Sequence, residues 1–310
     1  AIMFSWFAQK KPDIVILDVG IGGLYDSTNV IVPAVSGIVT VGYDHMHVLG
    51  DTLAEIACQK AGIIKPNVPV VIGRLPQTAR QTIIADAQEK QAPLYENGRQ
   101  FTAKKINCHQ LKNEIVYDGL MLHRQRFQLG LAGEYQVDNA AVALTMAQLY
   151  LKRLGVPIDV QAFQNGLANT RWPGRLEIVN DSPLVVLDGA HNLPGMQALT
   201  TTLQNDFKEM EIYVLVAILA DKQYQLMLGE IASLPNVHLM LTNFAGPGPK
   251  RPSADLEKAA KDIKTHWPIE TAPSWQEGLL RLSREVSADD AILITGSLYF
   301  ISEVRRFFSD

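Results

Sequence analysis

The sequence predicts an α/β protein built from two domains, each containing a parallel sheet. Three observations support this fold class. Short apolar runs alternate with helical segments, which is typical of parallel strands joined by crossover helices. Glycines and polar residues directly follow several of these runs, at the ends where parallel sheets collect ligands. A length of 310 residues favours two domains over one.

Composition excludes several classes of function. A hydrophobic fraction of 47% and a charged fraction of 19% are ordinary for a globular protein with an ample core. The net charge of −4 argues against general nucleic-acid binding. Cys58 and Cys108 form neither a disulfide framework nor a metal-binding spacing, which favours a reducing cytoplasm. No apolar run approaches the roughly 20 residues that span a membrane, and no signal peptide is recognisable. We expect a cytoplasmic monomer without membrane contact.

The segment from Pro12 to Pro66 carries the first candidate site residues. The apolar run 14–17 predicts a buried strand that ends at Asp18, and the run 38–41 predicts a second strand whose following loop contains His45. Asp18 resembles the acid with which phosphate-loop nucleotidases hold Mg²⁺, but it also fits a turn cap. His45 fits a metal ligand through a neutral ring nitrogen, and equally a polar loop residue.

The next helix is predicted to deliver Lys60. Thr52 and Glu55 form the pattern of a capping box, and Gly62 marks the end of the helix. Lys60 is the next position on the apolar stripe of this helix, after Leu53, Ile56 and Ala57. Its amine either extends outward into solvent or stays buried. A buried amine has a lowered pKa and can take up CO₂ as a carbamate, an anion suited to a metal site.

The same segment carries a resemblance to a known family. The stretches LDVGIGGLYDSTNV and VGYDHMHVLGDTLAEIACQKAGIIKP resemble the folylpolyglutamate synthase/dihydrofolate synthase family of the Mur ligase superfamily. Further similar stretches are GEYQVDNAA (133–141), WPGRLE (172–177), LDGAHNLPG (187–195), ADK (220–222) and TGSLYFISEVR (295–305). The resemblance therefore extends over nearly the whole chain.

The resemblance implies a specific domain organisation. It implies a central ATPase domain like that of the P-loop NTPases at residues 1–177, followed by a Rossmann-like glutamate ligase domain at residues 178–310. The sequence contains no GxxxxGK[ST] phosphate loop, which members of the family carry upstream of the strand that here precedes Asp18. We therefore expect the ATPase domain to be incomplete at its N-terminus and these 310 residues alone to be inactive.

The remainder of the first domain continues the α/β pattern with one interruption. A strand at 69–73 and a helix at 77–90 are followed at 101–131 by alternating polarity and an Asp-Gly turn, which predict a small antiparallel sheet. A long apolar helix is predicted from Asn139 to Leu154. The resemblance places Asn139 near the nucleotide, although an asparagine there also fits a helix cap. Tyr135 stands where the family usually has histidine.

The second domain shows regular alternation of strands and helices, and residues 180–183 read as a linker or domain edge. This alternation predicts a parallel Rossmann-like sheet, without the glycine fingerprint of NAD-binding proteins. The predicted strands are 184–188, 212–219, 237–244, 291–296 and a weaker one at 268–271. The predicted helices are 195–207, 223–233, 253–265, 275–286 and 298–308.

The resemblance assigns roles to five residues near these strand ends. Arg175 is assigned to the γ-phosphate of ATP, whereas its ordinary alternative is a salt bridge. Asp188 is assigned to the ATP ribose, and His191 to an active-site position near ATP and glutamate, although DGAHN also reads as a simple turn. Arg251 and Ser297 are assigned to the carboxylates of the incoming glutamate.

The implied reaction is ATP-dependent ligation of L-glutamate to a folate, or to dihydropteroate, through an acyl phosphate. The resemblance implies two Mg²⁺ ions, with Asp18 and His45 as metal ligands and a carbamylated Lys60 beside the second metal. Asp26 is carried over as a contact to the substrate or to the loop that covers it, and Leu24 replaces the arginine of many members. Two alternatives stay open: another Mur-type amino-acid ligase, and an inactive fragment that acts as a binding module.

Overall fold

The computed structural model describes residues 2–109, 111–246, 248 and 251–308, and it divides into two compact units, Ala1–Leu94 and Tyr95–Asp310. The first unit contains a sheet in the order β1-β2-β3, in which β1 and β2 are parallel. Its elements in chain order are α1 (Ile2–Lys10), β1 (Ser36–Ile38), α2 (Met46–Leu49), α3 (Leu53–Ala61), β2 (Val70–Ile72), α4 (Gln77–Glu89) and β3 (Leu94–Glu96), whose last two residues belong to the second unit.

Helix α3 confirms the predicted capping box. The hydroxyl of Thr52 accepts a hydrogen bond from the N–H of Glu55, whose side chain accepts one from the N–H of Thr52. Gly62 ends this helix at an ordinary negative φ of −56°, so the left-handed conformation is not the reason for glycine there. A Cβ at Gly62 would lie 2.3 Å from the Cα of Leu24. Close approach of the two backbones therefore requires glycine.

The prediction of a buried strand before Asp18 is wrong. Residues 14–17 run outside any regular element, and Ile14 and Ile16 are 54% and 91% exposed. An apolar run becomes a strand only where another strand supplies hydrogen-bond partners, and no strand of the described residues pairs with this run. The strand predicted at 38–41 forms at Ser36–Ile38 and ends before the residues that lead to His45.

The second unit begins with the predicted antiparallel sheet. Its strands β4 (Thr102–His109), β5 (Lys112–Asp118) and β6 (Gln125–Gln128) pair in that order, followed by α5 (Tyr135–Leu154) and α6 (Val160–Asn169). Helix α5 has Glu134 at its N-cap position, so Asn139 lies inside the helix and the reading of Asn139 as a helix cap is wrong. Helix α6 was not predicted from the sequence.

A six-stranded sheet forms the centre of the second unit and confirms the predicted parallel alternation. Its order is β11-β10-β9-β12-β8-β7, with every pair parallel except β7 with β8. The strands are β7 (Glu177–Asp181), β8 (Leu184–Leu187), β9 (Ile212–Val216), β10 (Val237–Leu241), β11 (Glu270–Thr271) and β12 (Ala291–Thr295). The helices are α7 (Leu193–Asp206), α8 (Tyr224–Ala232), α9 (Leu256–Ala260), α10 (Trp275–Glu285) and α11 (Leu298–Phe307).

Strand β7 corrects the reading of residues 180–183 as a linker. Asn180 and Asp181 pair with Val185 and Leu184, so this segment is the turn of an antiparallel hairpin at the sheet edge. The side chain of Asn180 donates to the carbonyl of Pro183 at 2.7 Å and closes the turn. Turn-forming residues mark a change of direction, but they do not distinguish a hairpin from a domain boundary.

The central sheet separates two hydrophobic cores. Val186, Val214 and Leu293 face one core, whereas their chain neighbours Val185, Leu215 and Ile294 face the other. This alternation follows from the two-residue period of a strand, and it explains why these strands are apolar at every position. The sheet is covered on both faces, and its strand ends position the loops of the candidate site.

No helix in the described ranges has both the length and the apolar character needed to cross a membrane. The predicted domain boundary at residue 177 differs from the division of the compact units after Leu94, and it stays a prediction.

Candidate active site

Asp26 organises the glycine-rich turn of the first unit. Its Oδ2 accepts hydrogen bonds from the N–H groups of Gly20 at 3.1 Å and Ile21 at 3.2 Å. Its Oδ1 accepts from the hydroxyl of Thr28 at 2.6 Å and from the N–H of Thr28 at 2.8 Å. The hydroxyl of Thr28, followed by these N–H donors, holds the pKa of Asp26 below its usual value. The carboxylate therefore fastens residues 20–28 into one loop.

A cavity of about 280 Å³ opens beside this loop. Its lining is mainly apolar, with the side chains of Asp26, Ser27 and Gln59 as the polar members. The complete lining is Gly20, Ile21, Tyr25, Asp26, Ser27, Val48, Leu49 and Gln59. An apolar concavity with a few polar groups is the usual form of a small-molecule site.

The two predicted metal ligands, Asp18 and His45, are both accessible to solvent. Asp18 is exposed on the extended segment before Gly20. His45 has a left-handed backbone (φ 50°) directly before α2, and its Nε2 lies 3.9 Å from Oδ2 of Asp44. Within the described ranges, no three His, Cys, Asp or Glu side chains form a group that could hold a metal. The carboxylate of Asp18 suits Mg²⁺, which takes its remaining ligands from water and phosphates, whereas an imidazole is more often a ligand of transition metals.

Lys60 is partly buried, as one of the two sequence readings expects. Burial lowers the pKa of its amine, and the nearby carboxylate of Asp44 opposes this effect. The structure therefore favours the buried amine over an outward-pointing one. Sequence reasoning missed Asp44, although its position directly before His45 in GYDH was a usable signal.

Asp188 is the most deeply buried candidate residue in the second unit. Its side chain follows β8, and the residue is 3% exposed. Oδ1 accepts from the N–H of Ala190 at 2.9 Å, and Oδ2 accepts from the N–H of Leu176 at 3.0 Å. Burial raises the pKa of Asp188 to about 6, although these two donors and the charge of Arg175 act in the opposite direction. The two hydrogen bonds thus fix the carboxylate in position, and together with Arg175 they offset only part of the cost of burying its negative charge.

Arg175 lies next to this buried acid, between Gly174 and Leu176. The N–H of Gly189 donates to the carbonyl of Gly174 at 2.8 Å, which joins the Arg175 segment to the loop after β8. Arg175 makes no salt bridge with any residue in the part of the chain that the structure describes. The salt bridge that would be the ordinary role of this arginine is therefore absent among the described residues. The positive charge of Arg175 lies near Asp188.

His191 and Asn192 complete the loop after Asp188. Nδ1 of His191 lies 2.9 Å from the carbonyl oxygen of Gly189. A carbonyl only accepts, so the proton of the neutral imidazole is on Nδ1 and the lone pair is on Nε2. Asn192 caps α7 by accepting from the N–H of Gly195 at 2.8 Å.

Asn139 lies in the second turn of α5, where its side chain donates to Oε1 of Gln136 at 2.9 Å. Tyr135 begins the same helix, and burial raises the pKa of its phenol. The charge of Asp188 acts in the same direction and that of Arg175 in the opposite one, so the start of α5 lies within their electrostatic reach. We call Tyr135, Arg175 and Asp188 the second-unit corner.

Arg251 and Ser297 lie in the segments that follow two other strands of the sheet, β10 and β12. Nε of Arg251 donates to Oδ2 of Asp221 at 2.8 Å, and its guanidinium carbon lies 5.8 Å from the centre of the Tyr299 ring. Ser297 is 1% exposed at the N-cap of α11, and its hydroxyl has no hydrogen-bond partner among the described residues. Sequence reasoning did not connect Asp221 with Arg251, although both lie in the loops after strands.

Two family models match the chain. The Mur ligase middle domain matches residues 2–147, and the glutamate ligase domain of Mur ligases matches residues 174–298. Folylpolyglutamate synthase of Lacticaseibacillus casei is 37% identical over 99% of this chain and 69% of its own length. Dihydrofolate synthase/folylpolyglutamate synthase of Bacillus subtilis (strain 168) is 34% identical over 99% of this chain and 70% of its own length.

This chain belongs to the folylpolyglutamate synthase family. A structure described as a folylpolyglutamate synthase complex with AMPPCP and folate superposes with a TM-score of 0.77 at 33% identity. It covers 98% of this chain, which covers 68% of that structure. The family resemblance and the two-domain α/β fold predicted from the sequence are thereby confirmed.

In this member of the folylpolyglutamate synthase family, the predicted site residues lie in both compact units. In the second unit, Arg175 and Asp188 are adjacent, His191 follows in the same loop, and Leu298 packs beside Gly189 close to Ser297. In the first unit, Asp44 lies near both His45 and Lys60, while Asp26 serves the turn. The shared metal site of Asp18 and His45 stays a prediction.

Proposed function

We propose that this chain is an ATP-dependent ligase that joins L-glutamate to the γ-carboxylate of a folate. The observation that carries the proposal is the second-unit corner, where Arg175 stands beside a buried carboxylate without a salt bridge in the described part of the chain. A guanidinium in that state is suited to phosphate oxygens, which it contacts in pairs. The reaction needs no second copy of the chain in this proposal, so we expect a monomer.

The proposed reaction proceeds in two steps. An oxygen of the folate γ-carboxylate attacks the γ-phosphorus of ATP, the bond to the β-phosphate oxygen breaks, and ADP leaves. The resulting acyl phosphate is then attacked at its carbonyl carbon by the neutral amine of glutamate. An amide forms, inorganic phosphate leaves with the bonding electron pair, and the amine loses a proton. Activation is required because a free carboxylate is a poor acyl donor.

Four residues of the second unit are proposed to bind the nucleotide or to accept a proton. Arg175 stabilises the charge on the transferring phosphoryl group. Asp188 accepts a hydrogen bond from the ribose, and the amide of Asn139 contacts the nucleotide. Nε2 of His191 carries the lone pair of the neutral ring, so it is our candidate acceptor of the proton that the amine loses.

Arg251 and Ser297 are proposed to bind the incoming glutamate. Asp221 and Tyr299 orient the guanidinium of Arg251, which can pair with a carboxylate. The buried hydroxyl of Ser297 lacks a partner among the described residues, and a ligand carboxylate would supply one. Dihydropteroate is the second candidate acceptor, because the relative from Bacillus subtilis carries both activities in its name.

Magnesium and a modified Lys60 are the proposed additions to the first unit. Asp18 and His45 would hold Mg²⁺, with water and phosphate oxygens as its other ligands. When bound, the ion would neutralise phosphate charge. Lys60 would be carbamylated, because burial favours its neutral amine, and the carbamate would orient ligands of the second metal. Asp26 shapes the wall of the adjacent cavity, which we propose receives part of the folate.

The test combines binding with turnover on the purified chain. AMPPCP and folate binding are measured first, because binding tests the proposed site independently of turnover. Phosphate release and product mass are then followed with ATP, Mg²⁺ and glutamate. Tetrahydrofolate, dihydropteroate and a muramyl substrate serve as separate acceptors. Binding of AMPPCP and folate supports the proposal, and a glutamylated folate establishes it.

The alternatives predict different results. Product from the muramyl substrate, with none from either pterin, would assign the chain to another branch of Mur-type ligases. Arg175→Lys serves as the matched variant, because it keeps the charge and loses the planar pair of donors. Unchanged AMPPCP affinity in this variant, or failure of the wild-type chain to bind AMPPCP, would contradict the proposed nucleotide site.

A further inference from the structure

Tyr135 is the member of the second-unit corner to which the family resemblance assigns no role. It is the first residue of α5, directly after the N-cap residue Glu134. The N–H of Glu134 donates to the hydroxyl of Thr202 on α7 at 3.2 Å, which anchors the start of the helix. The side chain of Tyr135 is thus presented from a fixed backbone.

The ring of Tyr135 packs against the same glycine as Leu176, the residue that follows Arg175. Gly133 has a φ of +102°, and a Cβ at this position would lie 2.8 Å from Cε1 of Tyr135 and 3.1 Å from Cδ1 of Leu176. The tyrosine ring and the Leu176 side chain therefore both pack against this glycine. The N–H of Leu176 is also one of the two donors to the carboxylate of Asp188. One short chain of contacts thus joins the ring to the buried acid.

Burial, more than the surrounding charges, keeps the phenol of Tyr135 neutral. Burial raises the pKa of Tyr135, Asp188 adds to this effect, and Arg175 and a hydrogen bond with Gln136 act against it. Gln136 in turn accepts from Asn139, the predicted nucleotide contact. The hydroxyl is therefore linked through Gln136 to Asn139, and it lies within electrostatic reach of both Arg175 and Asp188.

We propose that Tyr135 is a further nucleotide-contacting residue, whose hydroxyl donates a hydrogen bond to an oxygen of the bound nucleotide beside Arg175. This inference rests on the proposed nucleotide site. A neutral phenol retains its donor across the physiological pH range. An imidazole at the same place titrates at roughly pH 6.5 and therefore changes charge within that range.

Nucleotide binding by the purified chain tests this contact. ADP and AMPPCP are titrated calorimetrically between about pH 6 and 8, the range in which an imidazole changes charge. The proteins are the wild type, Tyr135→Phe, Tyr135→His and the control Tyr150→Phe, which removes a phenol from the same helix. We expect Tyr135→Phe to weaken affinity about tenfold, because a hydrogen bond to a charged acceptor is lost. Tyr150→Phe should bind as the wild type does.

The pH series separates a contact from a structural role. Titration of Asp188 is common to the wild type and the two phenylalanine variants, whereas Tyr135→His alone should gain a further dependence as its imidazole changes charge beside Arg175 and Asp188. A purely structural role would lower the thermal midpoint of Tyr135→Phe and leave affinity unchanged. Equal affinity of Tyr135→Phe and wild type at every pH overturns the inference and leaves the proposed function standing. No nucleotide binding by the wild type overturns both.

Discussion

Two backbone N–H groups lower the pKa of Asp188, and its nearly complete burial raises it. The effect of burial is the larger one. Because its pKa is raised from 3.8 to about 6, the folded chain binds a proton that the unfolded chain has already released. The stability linked to this group is fully present below pH 3.8 and is lost as the pH rises through about 6. At neutral pH the ionised group costs on the order of 3 kcal/mol.

We therefore predict that Asp188→Asn becomes relatively more stable than the wild type as the pH rises from about 4 to 7. The asparagine cannot ionise, so it lacks the cost that the wild type acquires in this range. Urea unfolding across this range measures the change. Asp290→Asn is the control, because the hydroxyl of Ser287 lowers the pKa of Asp290 and its titration lies below the range. A pH-independent difference for Asp188→Asn would contradict the raised pKa.

Lys60 gives a second prediction at this scale. With ¹³C-labelled bicarbonate, we expect a carbamate resonance in the wild-type spectrum and its disappearance in Lys60→Arg, because the guanidinium does not become a neutral amine. The lowered pKa of Lys60 leaves more neutral amine at neutral pH than an exposed lysine has. Lys65→Met, a change elsewhere in the first unit, should retain the resonance. A signal that survives in Lys60→Arg would assign the carbamate to another amine.

A cluster of three charged side chains connects β4, α5 and α7 in the second unit. Nζ of Lys105 lies 2.7 Å from Oε2 of Glu134 and 2.5 Å from Oδ1 of Asp206. Burial alone lowers the pKa of Lys105, but the hydrogen bonds to Asp206 and Glu134 outweigh it and raise the pKa. Lys105 and Glu134 lie in the range of the middle-domain model and Asp206 in that of the ligase-domain model. The cluster therefore links two family domains within one compact unit.

Removal of this ammonium should destabilise the second unit strongly. We predict that Lys105→Met lowers the free energy of unfolding by about 3–5 kcal/mol, because the buried carboxylate of Asp206 loses its counter-charge. Lys104→Met on the same strand is the control, and its exposed side chain should leave stability within about 0.5 kcal/mol. Chemical denaturation compares the two variants. Equal effects would mean that the cluster contributes no more than a surface charge does.

Two glycines offer an opposed pair of substitutions. Gly62→Ala should destabilise the first unit by at least about 1 kcal/mol, since the added carbon would meet the backbone of Leu24 at 2.3 Å. Gly229→Ala, inside α8, has no heavy atom within 4 Å and should stabilise by about 0.5–1 kcal/mol through helix propensity. Thermal unfolding of the two variants would show shifts of opposite sign. A stabilising Gly62→Ala would refute the close-approach argument.

The agreement between sequence and structure varies with the type of element. All five strands predicted in the second domain form. Four of them are continuous apolar runs between helices, which specify strands buried on both faces, whereas β11 is a short exposed strand of two residues. The capping box of Thr52 and Glu55 was correct because every interacting group lies within one helical turn. The strand before Asp18 failed, since an apolar run carries no information about its hydrogen-bond partner.

The candidate site shows the same difference between local and distant information. Local motifs named Arg175, Asp188 and His191 as candidates, and the structure places these residues in one unit, while their roles stay predictions. The neighbours that tune them are distant in sequence, as the pairing of Asp221 with Arg251 shows. Side-chain contacts across such separations depend on the packing of whole elements, which residue spacing does not determine.

The two compact units differ in how they cover apolar surface. Fourteen of the twenty-six exposed large hydrophobic side chains in the described chain lie within the first 48 residues. The second unit contains two separate cores around a covered sheet. Because hydrophobic burial is the main favourable term in folding, the first unit should be the less stable one.

Hydrogen exchange would measure this difference directly. We predict that amides of β1 and β2 exchange faster than those of β9 and β12. Local opening of the first unit exposes less buried apolar surface to water, so it costs less free energy. Residues of α8 provide an internal reference for the second unit. Equal protection of all four strands would indicate one cooperative unit and contradict the predicted order.

The turn held by Asp26 has a consequence for which kinds of molecule can approach it. Glycine-rich turns after apolar runs commonly attract phosphate because their amide hydrogens point outward. Here the amide hydrogens of Gly20 and Ile21 already point at an internal negative charge. A second anion would meet repulsion and find both donors occupied. The concavity beside this turn therefore favours a neutral or electron-poor ring, because the amide hydrogens of the turn itself are not free to bind an anion.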